Sequence, residues 1–163
     1  MNEAKRTASR KRPTIRINTY TSTTGATIGN AYSDLMSLAE EMRDWASNME
    51  GTGLENTEKY QTVSETADAL DSLNEAEVPA SLAELTVTYQ ETLPYDKRRG
   101  PSRATRRDNC VAMLQQSIEA LQALRDAEGP PLSEEDLQNL EALADDLQET
   151  IDEVEGLEFP SMF

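Results

Sequence analysis

Lys97, Arg98, Arg99, Arg103, Arg106 and Arg107 fall within eleven positions of a 163-residue chain whose net charge is -16. Guanidinium forks and an ammonium gathered this closely are the groups that hold phosphate or carboxylate oxygens. Gly100 and Pro101 make a turn and Ser102 follows as an N-cap, so Arg103, Arg106 and Arg107 occupy the first two turns of a helix. That end already carries about half a positive charge, which makes it the unfavourable one for cations. Helical spacing also sets Arg103 and Arg107 on the stripe of Leu114 and Leu121, so they extend an apolar face. Cations concentrated against a local rule call for a compensating anion. It is either internal, from carboxylates such as Asp44, Glu65, Asp68 or Asp71, or external, from nucleic-acid phosphate or an acidic partner held by the arginines and the helix-start N–H groups.

Three other groups of residues bear on chemistry. Lys5, Arg6, Arg10, Lys11, Arg12 and Arg16 form a basic N-terminal arm, leaving only Arg43, Lys59 and Arg125 as cations elsewhere. Glu41-x-x-Asp44 and Glu65-x-x-Asp68 each place two carboxylates one helical turn apart, as a Mg2+ site between helices requires. These pairs resemble the ExxE and ExxD pairs of all-α nucleotide pyrophosphohydrolases, although the first departs from that pattern. The resemblance implies Mg2+-dependent nucleotide hydrolysis with the cationic loop as a phosphate clamp. Finally, both phenylalanines lie in the last five residues, where Phe159, Met162 and Phe163 follow an anionic run. This ending resembles the acidic, Pro-Phe-tipped tails of bacterial single-stranded DNA-binding proteins. It is either a docking peptide or a tail folded back over one end of the helices.

Nucleophilic catalysis has little material. The chain has no histidine and one cysteine, Cys110, beside Val111 on a helix. A buried structural thiol is expected there, with no internal disulfide and no need of an oxidising compartment. No phosphate-cradling glycine loop and no zinc-ligand spacing occurs, so no cofactor and no metal are expected. No apolar run is long enough for a membrane span, and a soluble, cytoplasmic protein without membrane contact is expected.

The elements that position these residues show in the apolar periodicity. Leu137, Leu140, Ala144, Leu147, Ile151 and Val154 follow the 3-4 spacing of a helix packed on a helix, after Ser133 as N-cap. Val111, Leu114, Ile118, Leu121 and Leu124 make a second stripe, and "EGPPLS" between the two marks an antiparallel hairpin. Leu35, Leu38, Met42, Trp45 and Met49, then "EGTGLEN", then Tyr60, Val63, Ala67, Leu70 and Leu73 repeat the pattern. The spacing thus predicts an all-α fold, a bundle of two antiparallel helical hairpins. Residues 1–30 are expected as a basic, Thr-rich arm or short strand, 31–158 as the bundle with its basic loop at 95–109, and 159–163 as an aromatic tail. Between the hairpins, Leu82, Leu85, Tyr89 and Leu93 suit a helix whereas Leu85, Val87 and Tyr89 alternate as a strand does. The expectation is a short helix or irregular crossover.

From Leu132 to Glu158 there are eleven carboxylates and no cation, a surface hostile to nucleic acid and anionic lipid. The expected function is a non-enzymatic interaction or assembly protein, such as a virion, mobile-element or accessory subunit. Its contacts would be the arm, the Arg-rich helix start and the tail, and its partner another protein or a second copy of itself. The alternatives are a nucleic-acid-linked protein, binding phosphate without sequence preference or mimicking DNA with its acidic helices, and the Mg2+-dependent hydrolase.

Overall fold

A computed structural model describes residues 13–161. Its elements are β1 (Ile15–Thr23), α1 (Thr24–Met49), α2 (Glu58–Asp71), β2 (Thr86–Pro94), α3 (Arg103–Asp126) and α4 (Glu134–Glu155). The two helical hairpins are α1/α2 and α3/α4, and α1 packs on α3. The predicted stripes form the core: Leu35, Leu38, Met42, Val63, Leu70, Leu114, Leu121, Leu140, Leu147 and Val154 are fully buried. Burying each such side chain stabilises the fold by about 1.5–3 kcal/mol before entropy is counted.

The all-α expectation is corrected. β1 and β2 pair antiparallel, one residue to one from Ile15 with Pro94 to Thr23 with Thr86, so the fold is mixed α/β, though mostly helical. Residues 86–94 are a strand because their alternating β-branched and aromatic side chains meet a partner of the same kind. On the inner face Val87 is buried and Tyr20 meets Tyr89 at 5.5 Å between ring centroids. Thr21 and Thr88 share a hydroxyl hydrogen bond across the ribbon. A helix over the same residues would leave β1 without a partner.

α1 begins where β1 ends, earlier than the apolar stripe suggests. Gly25, Gly29 and two threonines give this start low helical propensity, and tertiary bonds replace it. Thr23 caps the helix by accepting from the Ala26 N–H at 3.2 Å. The Thr24 and Gly25 N–H groups donate to the Leu85 and Ala83 carbonyls at 2.8 and 2.9 Å, and the Thr24 hydroxyl donates to the Leu82 carbonyl. These bonds satisfy donors that a helix start otherwise leaves to water. Gly25 suits that approach, because a Cβ there would lie 3.3 Å from both Ala83 Cβ and its carbonyl oxygen, closer than ordinary contact.

Candidate functional site

Ser102 caps α3 as expected, accepting from the Thr105 N–H at 3.2 Å. The helix start is thereby laid against α1 and the end of α4. Arg106 reaches two carboxylates on α1, donating from Nη2 to Asp34 at 2.7 Å and from Nη1 to Glu41 at 2.5 Å. Asp34 and Glu41 are seven residues apart, two turns along one face, so a single guanidinium fork bridges both. Arg103 approaches the other Glu41 oxygen at 3.4 Å and lies over the Trp45 ring, 5.3 Å from its centroid. Burial pulls the Arg106 pKa down, but the bonds to Asp34 and Glu41 outweigh it and hold the guanidinium more firmly charged than usual.

The compensating anions of Arg103 and Arg106 are therefore internal. They are Asp34 and Glu41, not the four carboxylates named from the sequence. Of those four, Asp71 pairs instead with Arg43 across the α1/α2 hairpin. Glu41 is shared between two arginines, which leaves it engaged where the resemblance to nucleotide hydrolases implied a metal ligand. Among the described residues no group of three or more carboxylates or thiols is arranged to hold a metal ion.

Arg107 serves a different anion, the negative end of a helix dipole. Its Nη1 donates to the carbonyls of Val154, Glu155 and Leu157 at 3.1, 3.3 and 2.8 Å, closing the C-terminus of α4. Its Nε donates to Asp108 at 2.5 Å, and the Phe159 ring lies 5.4 Å beneath the guanidinium. The start of α3, the end of α4 and the tail are thus fastened by one side chain that is only 14% exposed. The tail continues back along α2, where the Thr66 hydroxyl donates to the Glu158 carbonyl at 2.8 Å and Lys59 to that of Ser161 at 2.9 Å. Phe159 is a packed residue; Met162 and Phe163 lie outside the described residues.

The other cations divide. Lys97, Arg98 and Arg99 are exposed on the loop, with Arg98 folded onto Asp96, whose pKa its hydrogen bonds lower. Arg16 donates from Nε to the Pro94 carbonyl at 3.1 Å, bracing the ribbon. Lys5, Arg6, Arg10, Lys11 and Arg12 lie outside the described residues. Arg99, Ser102, Arg103 and Phe159 border an open depression of about 660 Å3.

Two clusters were not legible as sites. Asn109, buried on α3, accepts from the Thr92 N–H and donates to the Thr92 carbonyl, both at 2.9 Å, so its amide pairs with the outer edge of β2 as another strand would. The signal for it was the alternation "TVTYQET", which identifies a strand needing an edge partner. Beside it, an open cleft of about 380 Å3 is lined by Asn30, Asp34, Tyr89, Arg106, Asn109 and Cys110. The Cys110 thiol is 1% exposed and lies 3.7 Å from Asp34. Burial, with the Asp34 charge and hydrogen bond, pushes its pKa from 9.0 up to about 12.

No protein-family model, no curated protein and no solved structure matches the chain. Among the described residues no helix is long and apolar enough to cross a membrane.

A buried thiol held protonated is a poor nucleophile. Native protein at pH 8 is expected to resist a thiol-specific disulfide reagent that labels it at once in denaturant; fast native labelling would refute the burial. The same shift fixes a pH dependence. Folded Cys110, joined by Tyr32, whose pKa burial also raises, keeps its proton at pH values where the unfolded chain loses it. The Cys110 contribution is complete below pH 9 and is lost as pH rises toward 12. Chemical denaturation of wild type and Cys110→Ala across that window should show a steeper loss in wild type. Parallel curves would mean the thiol is not linked to folding.

Proposed function

We propose that this protein is a non-enzymatic interaction or assembly subunit working in the cytoplasm, with the β-ribbon as its contact element. The observation that carries this reading is the outer edge of β1. Ile15 and Ile17 are 51% and 55% exposed there, on a strand whose described packing is β2 on one side and the start of α1 at its end. Edge strands that expose apolar side chains are normally covered, bent or charged, and one left open is a template for another chain. The arginines at the head of α3 support the same reading from the other side, since their donors already face Asp34, Glu41 and the α4 carbonyls. A lone buried thiol suits a reducing compartment.

A second reading, phosphate binding, draws on the exposed Lys97, Arg98 and Arg99 together with the basic arm. Light scattering of the full chain in low salt, with and without a mixed-sequence DNA duplex, separates the two. The expected result is a mass above one chain that DNA leaves unchanged. A one-chain mass that shifts onto DNA and returns with added salt would overturn the assembly reading, because phosphate contacts release counterions and weaken steeply with salt.

A further inference from the structure

We infer that the occupant of the β1 edge is a second copy of this chain, paired antiparallel about a two-fold axis near Thr19, with each basic arm lying on the acidic surface of the other copy. This rests on the assembly reading above and names its partner.

The backbone determines which groups are available. Tyr95 donates its N–H to the Thr14 carbonyl at 3.1 Å, so hydrogen-bonded pairs in this ladder are the even residues of β1. Thr92, opposite Ile17, turns its N–H and carbonyl outward to Asn109, as that alternation requires. The N–H and carbonyl groups of Ile15, Ile17, Thr19 and Thr21 therefore point away from β2. Among the described residues the protective devices usual at such an edge are missing from it. β1 has no proline and no lysine, its register runs without a bulge, and its one charged side chain, Arg16, is turned back onto Pro94. β2 presents the equivalent edge to α3 and has Asn109 on it, so the two edges of the ribbon are treated differently by the same fold.

An antiparallel two-fold operation makes an edge complementary to itself. With Thr19 on the axis, Ile17 of one copy faces Thr21 of the other, and odd residues exchange bonds with odd residues. The ribbon becomes a four-stranded sheet, with Thr19 at the centre of one open face and the isoleucines of the two copies at its opposite ends. Strand count favours this over an isolated pair of strands.

Charge selects a second copy over another extended segment. Antiparallel pairing sends the chain before Ile15 past Thr23 of the other copy, where β1 turns into α1. There Glu75 and Glu77 border a cleft with Gly25, Ile28 and Gly29, and the adjoining cleft adds Asp146, Glu149 and Glu153. Residues 5–12 hold Lys5, Arg6, Arg10, Lys11 and Arg12 and span up to about 27 Å when extended. A segment with five of the chain's fifteen cations would then meet a cluster of five carboxylates on its neighbour.

The test is the mass of the full chain by light scattering over a concentration series. Wild type is expected at twice 18.1 kDa, with a dissociation constant raised about tenfold or more by high salt or by Glu75→Gln with Glu77→Gln, since several exposed pairs are lost at once. Thr19→Pro removes an outward N–H without touching a bond to β2, and Ile17→Lys charges a side chain already exposed; each should give a monomer with unchanged helical circular dichroism. If Thr19→Pro disturbs folding, Ile17→Lys decides alone. A dimer that survives Ile17→Lys overturns the β1 interface while leaving the assembly reading intact. A monomeric wild type at low salt overturns the inference, and one that binds DNA overturns both. A dimer sensitive to Ile17→Lys but indifferent to salt and to the Glu75 and Glu77 changes overturns the arm contact.

Discussion

Arg106→Ala is expected to lose about 2 kcal/mol of stability, among the largest single-residue effects at the head of α3. The substitution removes one fork and leaves two carboxylates, Asp34 and Glu41, facing each other with only Arg103 beside them. A fully buried pair broken this way costs about 3–5 kcal/mol and an exposed one under about 1 kcal/mol. These side chains lie between, at 20% exposure for the arginine and 39% for each acid, so the intermediate figure is the appropriate one. For a domain of this length the melting temperature should fall by about 4–8 °C. Arg106→Lys should recover less than half, because one ammonium cannot bridge two carboxylates two turns apart. Thermal denaturation of Arg106→Ala, Glu41→Gln and the double variant decides it. A double-variant cost equal to the sum of the single costs would mean that the pair is not coupled.

Asn109→Ala should cost about 2 kcal/mol, from two partly buried hydrogen bonds of about 1 kcal/mol each. The loss is local in kind. Both bonds end on Thr92, so amide hydrogen exchange should accelerate along β2 and β1 while α1 and α4 stay protected. Asn109→Asp is the sharper control, since it can still accept from the Thr92 N–H but sets a carboxylate oxygen against the Thr92 carbonyl. It should be no better than alanine. Exchange that rises equally in the helices would show that Asn109 supports the whole core and not the ribbon.

The helices were legible because their information is local. Leu140, Leu147, Ile151 and Val154 announce their face through spacing alone, and the structure adds only that Leu143 is more deeply buried than Ala144. Caps at Ser102 and Ser133 are equally short-range. The ribbon was not legible, because β1 and β2 are separated by a complete helical hairpin and each strand is weak evidence without the other. Leu82, Leu85, Tyr89 and Leu93 fit a helical period well enough to compete with the alternation that won. The arginines were recognised as needing anions, but which acids answer them depends on how α3 is rotated against α1. That is why Asp34 and Glu41 could not be separated from the other carboxylates of a chain holding 31.

The distance in sequence between β1 and β2 also sets an order in time. Pairing Ile15 with Pro94 closes a loop containing α1 and α2, so the ribbon forms after its contents have been gathered in. Until then β1 has two open edges instead of one. A chain made from its N-terminus carries that strand, isoleucines included, through synthesis of the whole first hairpin before β2 exists to meet it. The interval is one of exposure to other nascent copies, and its length is governed by how fast α1 and α2 bring residue 86 back to residue 23.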